Sequence, residues 1–262
     1  MRISIPFLPK PPMVAVVRLT GMISSGRGLS DQSAAPLIER AFRSKPQAVA
    51  LVINSPGGSP VQSSLIAARV RRLAQEKKLP VHVFVEDVAA SGGYWLACAG
   101  DQIWVDDSSI LGSIGVISSS FGFQDLMARQ GVERRVITAG ANKSFGDPFL
   151  PQKPEDVARI QGLQVPIHAA FIAHVKARRG TRLKEDADLF NADIWVGAAA
   201  VAVGLADGIG HVVPKMKELY GDKVRFDVAR PRKSLLGRFG FGIASEMMLA
   251  VEERAAFDRF GV

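Results

Sequence analysis

One cysteine, Cys98, stands in 262 residues, so no internal disulfide can form and no thiolate cluster can bind a metal. Histidine is almost as scarce: His82, His168, His174 and His211 are scattered without the spacing of a zinc site. No metal or cofactor is expected. Aromatic residues make up only 7% of the chain, too few for the stacking platforms of a nucleic-acid surface. Lys and Arg exceed Asp and Glu by 33 to 25, but residues 1–45 carry 7 basic and 2 acidic side chains, whereas residues 46–262 carry 26 and 23. The basic excess is therefore mainly N-terminal, and no nucleic-acid partner is expected. Long apolar runs are also missing. The longest, Ile194 to Ala206, has 13 residues between Asp193 and Asp207, where a membrane span needs about 18 or more. It reads as a buried helix.

What is present is 47% hydrophobic residues against 22% charged, enough for a core that needs no staples. Pro6, Pro9, Pro11 and Pro12 make residues 1–12 an extended arm rather than a signal or anchor. Three strand-like runs rich in β-branched residues follow, Met13–Leu19, Ala48–Ile53 and Val81–Val85, with a fourth short strand at Gln102–Val105. Helical segments alternate with them: Ala34–Phe42, Val61–Gln75, Gly92–Ala99 and Glu155 to about Gly180. In the second, Leu65, Ala68 and Leu73 are expected to face the core and Arg69, Arg71 and Arg72 the solvent. In the last, Val157, Ile160, Val165, Ile167 and Phe171 are the expected core contacts. Apolar strands separated by helices imply an α/β fold with a parallel sheet covered on both faces. The expected organisation is one domain over 13–230 and a helical C-terminal tail over 231–262. In that tail Ile243, Met247, Val251 and Ala255 recur every four residues as an apolar stripe.

Chemistry in such sheets gathers at the carboxyl ends of the strands. Two loops there stand out, Ser55-Pro56-Gly57-Gly58-Ser59 and Ala89-Ala90-Ser91-Gly92-Gly93. Ser91, between a strand end and a helix start, is well placed for a nucleophile, yet serine is equally a preferred helix N-cap. The Gly57-Gly58 pair would let backbone N–H groups approach an oxyanion, and it is equally compatible with an ordinary strand-to-helix turn. A nucleophilic serine needs a base. His82 lies inside a strand, and His168 and His174 lie in a helical stretch away from either loop. The alternative is a lysine, which must work deprotonated; Lys143, within AGANKSFG, is the lysine set among small residues, although a solvated loop position explains it as well.

Five motifs in order, SPGGS, AASGGYWLACAGD, GSIGV, AGANKSFGDPF and DIWVGAAAVAVGLADGIG, closely resemble the signal peptide peptidase A (protease IV) family of Ser/Lys serine peptidases. The match runs from about Met13 to Val212. It implies that Ser91 is the nucleophile and Lys143 the general base. It also implies that Ser113 orients the lysine amine and that Gly58 and Gly92 supply the oxyanion donors. The implied fold is that of the Clp protease and crotonase superfamily, repeated ββα units with a helical region. The implied substrates are short apolar peptides such as released signal peptides, and the implied assembly is a homo-oligomeric ring in which serine and lysine can come from neighbouring protomers. Members commonly carry a transmembrane anchor, which is not visible here; the expectation is a cytoplasmic location with peripheral contact at the inner face of the membrane left open. Two other readings compete: a catalytically silent ring scaffold, and a crotonase-type acyl-CoA enzyme, which would need neither the serine nor the lysine.

Overall fold

The computed structural model describes residues 11–230 and 251–262, except residues 27 and 252. Most of the Pro-rich arm, and Ile243 and Met247 of the tail, fall outside them. The chain divides into two compact units, residues 1–114 with 172–262, and residues 115–171.

The larger unit is built on strand β1 (Met13–Thr20), helix α1 (Asp31–Arg43), β2 (Ala48–Ser55), α2 (Pro60–Lys77), β3 (Val81–Ala90), α3 (Gly92–Ala97), β4 (Gln102–Val105) and β5 (Ile110–Gly112). The smaller unit holds α4 (Gln124–Arg129) and the start of α5 (Pro154–Arg179). The larger unit then resumes with β6 (Ile194–Val196), α6 (Gly197–Ala202), β7 (Gly208–Ile209), α7 (Val212–Tyr220) and β8 (Arg225–Val228). The strands form one sheet in the order β6-β5-β3-β2-β1-β8, and β4 and β7 branch from β3. Every pairing is parallel except β5 with β6. The fork lies in β3: His82–Val85 pair with β4, whereas Val88–Ala90 pair with β5. The α/β expectation with parallel strands holds.

Apolar alternation explains the layering. Val14, Val16, Ala48, Ala50, Val52 and Phe84 point to one face, where they meet Met216 and Tyr220 of α7. On strands buried on both faces the intervening residues are apolar too: Ala15, Val17, Val49, Leu51, Val81 and Val83 are fully buried. Helices α1, α2 and α3 pack together, with α1 on β1 and α3 on β2 and β3. Ser30 and Ser33 close a capping box on α1, and Ser59 caps α2 with Pro60 at its first position.

Four sequence expectations need correction. In α2 the buried stripe is Ile66, Ala67, Val70, Leu73 and Ala74, while Leu65 and Ala68 are exposed. Burial of Ile66, Val70 and Leu73 outweighs that of Leu65 alone, and in this orientation Arg69 pairs with Asp31 and Glu39, and Arg71 with Asp101. The run from Ile194 is not one buried helix. Ile194–Val196 is taken by the open edge of β5 as an antiparallel strand, and only Gly197–Ala202 is helical. In α5, Val165 is 68% exposed and Ile167 is exposed as well, while Val157 and Ile160 are half-buried. The buried positions are Phe171, Val175 and Arg179, one side of the last two turns. In the tail, residues 253–258 are helical, but Val251 and Ala255 are exposed. The docked side chains are Phe257 and Phe260, packed on Val88, Ala90 and Ile110. The aromatic rings bury more apolar area than the Val/Ala stripe could, and so decide which face turns inward.

Candidate active site

Ser91 joins β3 to α3 at φ 51°, ψ −123°, a left-handed conformation that costs a non-glycine residue about 1–3 kcal/mol. Its backbone is held on both sides. The Ser91 N–H donates to Gly112 O (2.8 Å), and Ser91 O accepts from the N–H groups of Tyr94 (2.9 Å) and Trp95 (3.1 Å). Its side chain makes no capping hydrogen bond to α3. The N-cap explanation of this serine therefore does not apply, and the hydroxyl is half-exposed at the carboxyl end of the sheet.

The SPGGS loop lies directly against it. A Cβ on Gly57 would stand 2.8 Å from Ser91 Cβ and from Gly92 N. Gly58 has φ +134°, and a Cβ there would run into the Ile23 carbonyl oxygen. Ile23 holds the loop from the other side, its N–H donating to Gly57 O (2.7 Å) and its O accepting from Ser59 N–H (2.8 Å). A Cβ on Gly92 would run into Ser63 Oγ and stand 3.4 Å from Gly58 N. The two glycine amides are thus neighbours beside Ser91; Gly58 lies on backbone that admits no side chain, and a Cβ on Gly92 would have to displace the Ser63 hydroxyl.

Ser113 ends β5 as Ser91 ends β3. It too has φ 51°, is buried, and donates its N–H to Asp193 O (2.7 Å). Parallel pairing of Ala90 with Gly112 sets the two serines at the ends of adjacent strands. Ser91, Ser113, Gly58 and Gly92 are therefore brought together in the larger unit. Lys143 belongs to the smaller unit, exposed in a turn where its N–H donates to Gly140 O (3.2 Å).

The other ionisable groups near these elements are occupied. His82 is buried at the far end of β3, about 30 Å from Ser91 at ~3.3 Å per residue. Its Nε2 lies 2.9 Å from the Tyr220 hydroxyl, and burial holds its pKa below the usual histidine value. His174 corrects an expectation: the end of α5 brings it onto α3, where it stacks on Trp95 and its Nε2 lies 3.1 Å from the Trp95 carbonyl oxygen. Burial lowers its pKa as well. The Cys98 thiol is fully buried and pushed up to about 12 by that burial, so it is no nucleophile. Among the described residues no group of three or more His, Cys, Asp or Glu could hold a metal ion.

Three supports of the site had no signal in the sequence pattern: Ile23 behind Gly57-Gly58, Ser63 behind Gly92, and the clamp of α5 on α3. In that clamp the Arg178 guanidinium donates to Cys98 O (2.7 Å) and Gly100 O (2.8 Å), satisfying carbonyls at the end of α3. Each contact joins residues tens of positions apart.

A forked parallel sheet with the site at its carboxyl ends is the fold of the Clp protease class. A solved structure of a membrane-bound stomatin-specific protease shares it, with a TM-score of 0.52 at 14% identity over 86% of this chain and 100% of that one. Residues 73–223 match the model of Peptidase family S49, and the chain belongs to that family. Among curated relatives, a protein of Brucella melitensis named Na(+)/H(+) antiporter NhaA is 47% identical over 95% of this chain and 37% of its own length. A putative protease of Methanocaldococcus jannaschii is 34% identical over 65% of this chain and 54% of its own length. The chain thus spans between about a third and a half of these relatives. No helix among the described residues is long and apolar enough to cross a membrane.

Proposed function

We propose that this chain is a serine endopeptidase that cleaves short apolar peptides, released signal peptides among them, through an acyl-enzyme on Ser91. The observation that carries the reading is Ser91 itself, held at φ 51° with its side chain spared from capping and with two glycine amides beside it. The Ser91 hydroxyl attacks the scissile carbonyl, and the Gly58 and Gly92 N–H groups stabilise the oxyanion. Lys143 takes the hydroxyl proton and returns it to the leaving amine, with Ser113 orienting the lysine. The roles of Lys143 and Ser113 rest on the motif resemblance. The loops at residues 55–59 and 89–93 carry no acidic side chain to receive a basic substrate residue, which suits apolar substrates. Assembly into a homo-oligomeric ring belongs to the same proposal. In the smaller unit Phe171 is the sole buried residue, and Ile117, Phe121, Leu126 and Ile137 are exposed, an apolar surface that a second copy would cover.

A fluorophosphonate tests the central step. Mass spectrometry is expected to find the adduct on Ser91, and stoichiometric labelling elsewhere would overturn the reading. Gly58→Ala is expected to lower kcat about 100-fold or more, because it forces a Cβ onto backbone at φ +134° against the Ile23 carbonyl and displaces one donor. Near-normal turnover would mean that another N–H serves the oxyanion. Activity should rise from neutral to alkaline pH, since a lysine base works only when deprotonated. His82 and His174 both have lowered pKa values, so a histidine base would instead give an acid-side limb at or below about pH 6.5. Loss of such a limb on replacing either histidine would refute the lysine.

A further inference from the structure

The C-terminal helical segment touches the larger unit beside the Gly57-Gly58 turn and at the ends of β3 and β5. Glu253 Oε1 accepts from the Met22 N–H at 3.1 Å, one residue before Ile23, whose N–H and carbonyl hold the Gly57–Ser59 turn. Phe257 and Phe260 pack on Val88 and Ala90, at the end of β3 before Ser91, and on Ile110 of β5, which leads to Ser113. Ser91 as a residue stays partly exposed with the segment in place.

We propose that residues 253–260 are a positioning segment, docked on their own domain, that holds the oxyanion turn through Met22–Ile23 and the ends of β3 and β5 through Val88, Ala90 and Ile110. Its effect on catalysis rests on the peptidase reading; its effect on the loops does not. A carboxylate on a backbone amide and two aromatic rings on an apolar strip act at separate points, so together they fix both sides of the site. Loops left free at those points would sample geometries in which the Gly58 and Gly92 amides no longer converge, and a misplacement near 1 Å can cost about 100-fold.

The test compares the full chain with Glu253→Ala, with Glu253→Gln, and with Phe257→Ala/Phe260→Ala, first by amide hydrogen exchange at Ile23 and Ser59. In the Glu253→Ala and double-Phe variants these amides should exchange about tenfold faster or more, and Glu253→Gln, which keeps an acceptor oxygen, should stay near the full chain. With a short apolar peptide as substrate, kcat should fall about tenfold or more in the first and third variants while KM stays within about twofold. Unchanged exchange in both variants would overturn the proposal, and so would faster exchange with kcat unchanged or raised. A full-length chain that no fluorophosphonate labels would sink the peptidase reading alone, because the exchange comparison needs no turnover.

Discussion

Ser91→Ala and Lys143→Ala are each expected to lower kcat for peptide hydrolysis about a thousandfold or more, with the double variant scarcely worse than either. The two groups act on one proton, so removing one leaves the other without a task, and their effects do not add. What remains should be the contribution of the glycine amides and of binding. The structure makes Ser91→Ala a clean test. No capping bond depends on its hydroxyl, the backbone bonds at residue 91 come from N–H and carbonyl alone, and alanine meets the same φ of 51° that serine already tolerates. The melting temperature of Ser91→Ala should therefore lie close to that of the parent, and a large drop would mean that lost activity reports lost folding. Near-normal turnover by Lys143→Ala would require another base. His82 and His174 are poorly suited to replace it, since His82 sits at the wrong end of β3 and the His174 ring is committed to Trp95.

The strands were legible because a strand buried on both faces writes a nearly unbroken apolar run, as in Ala48–Ile53 and, interrupted only by His82, in Val81–Val85, and a run of that kind needs no knowledge of its neighbours. Helix faces were less legible. In α2 the apolar residues Val61, Leu65, Ile66, Val70 and Leu73 offer two overlapping stripes, and the buried one, with Ile66, Val70 and Leu73, also brings Arg69 and Arg71 to carboxylates elsewhere in the chain, Asp31, Glu39 and Asp101. Ile194–Val196 reads locally like the start of a helix, and it is a strand only because β5 presents an unpaired edge. The site shows the same division. Ser91 and the glycine pair were visible as types at strand ends, but whether Ser91 caps α3 depends on a dihedral angle that no spacing encodes. The residues that press the two loops together, Ile23, Ser63 and the Glu253 carboxylate, became visible only when the chain closed on itself.

Asp207→Asn is expected to destabilise the larger unit by about 3–5 kcal/mol, because it strands a buried guanidinium. Arg179 is 2% exposed and holds Asp207 with two hydrogen bonds, 2.8 and 3.1 Å, while its Nε donates to Gly204 O at 2.8 Å. Asp207 in turn accepts from the Ile103 N–H of β4 (2.7 Å) and from Arg182 (3.2 Å). One residue pair away, the Tyr94 hydroxyl of α3 donates to Leu205 O at 2.9 Å, so the 204–207 turn ties α5, β4 and α3 to one another. Burial alone would push the Asp207 carboxyl up, but the Arg179 hydrogen bonds and charge, the Ile103 N–H and the Arg182 charge outweigh it and hold the pKa below the usual carboxylate value. A carboxyl lowered by folding contributes stability that is fully present above its unfolded value of about 3.9 and is lost as pH falls through the folded value. The parent should therefore lose part of its margin only below about pH 4, whereas Asp207→Asn should already lack it at pH 7 and show a shallower acid decline. At about 2–4 °C per kcal/mol for a domain of this size, the melting temperature should fall by roughly 6–20 °C. A fall of only a degree or two at pH 7 would mean that Arg179 finds another partner and that the pair is not what ties α3 to the base of the sheet.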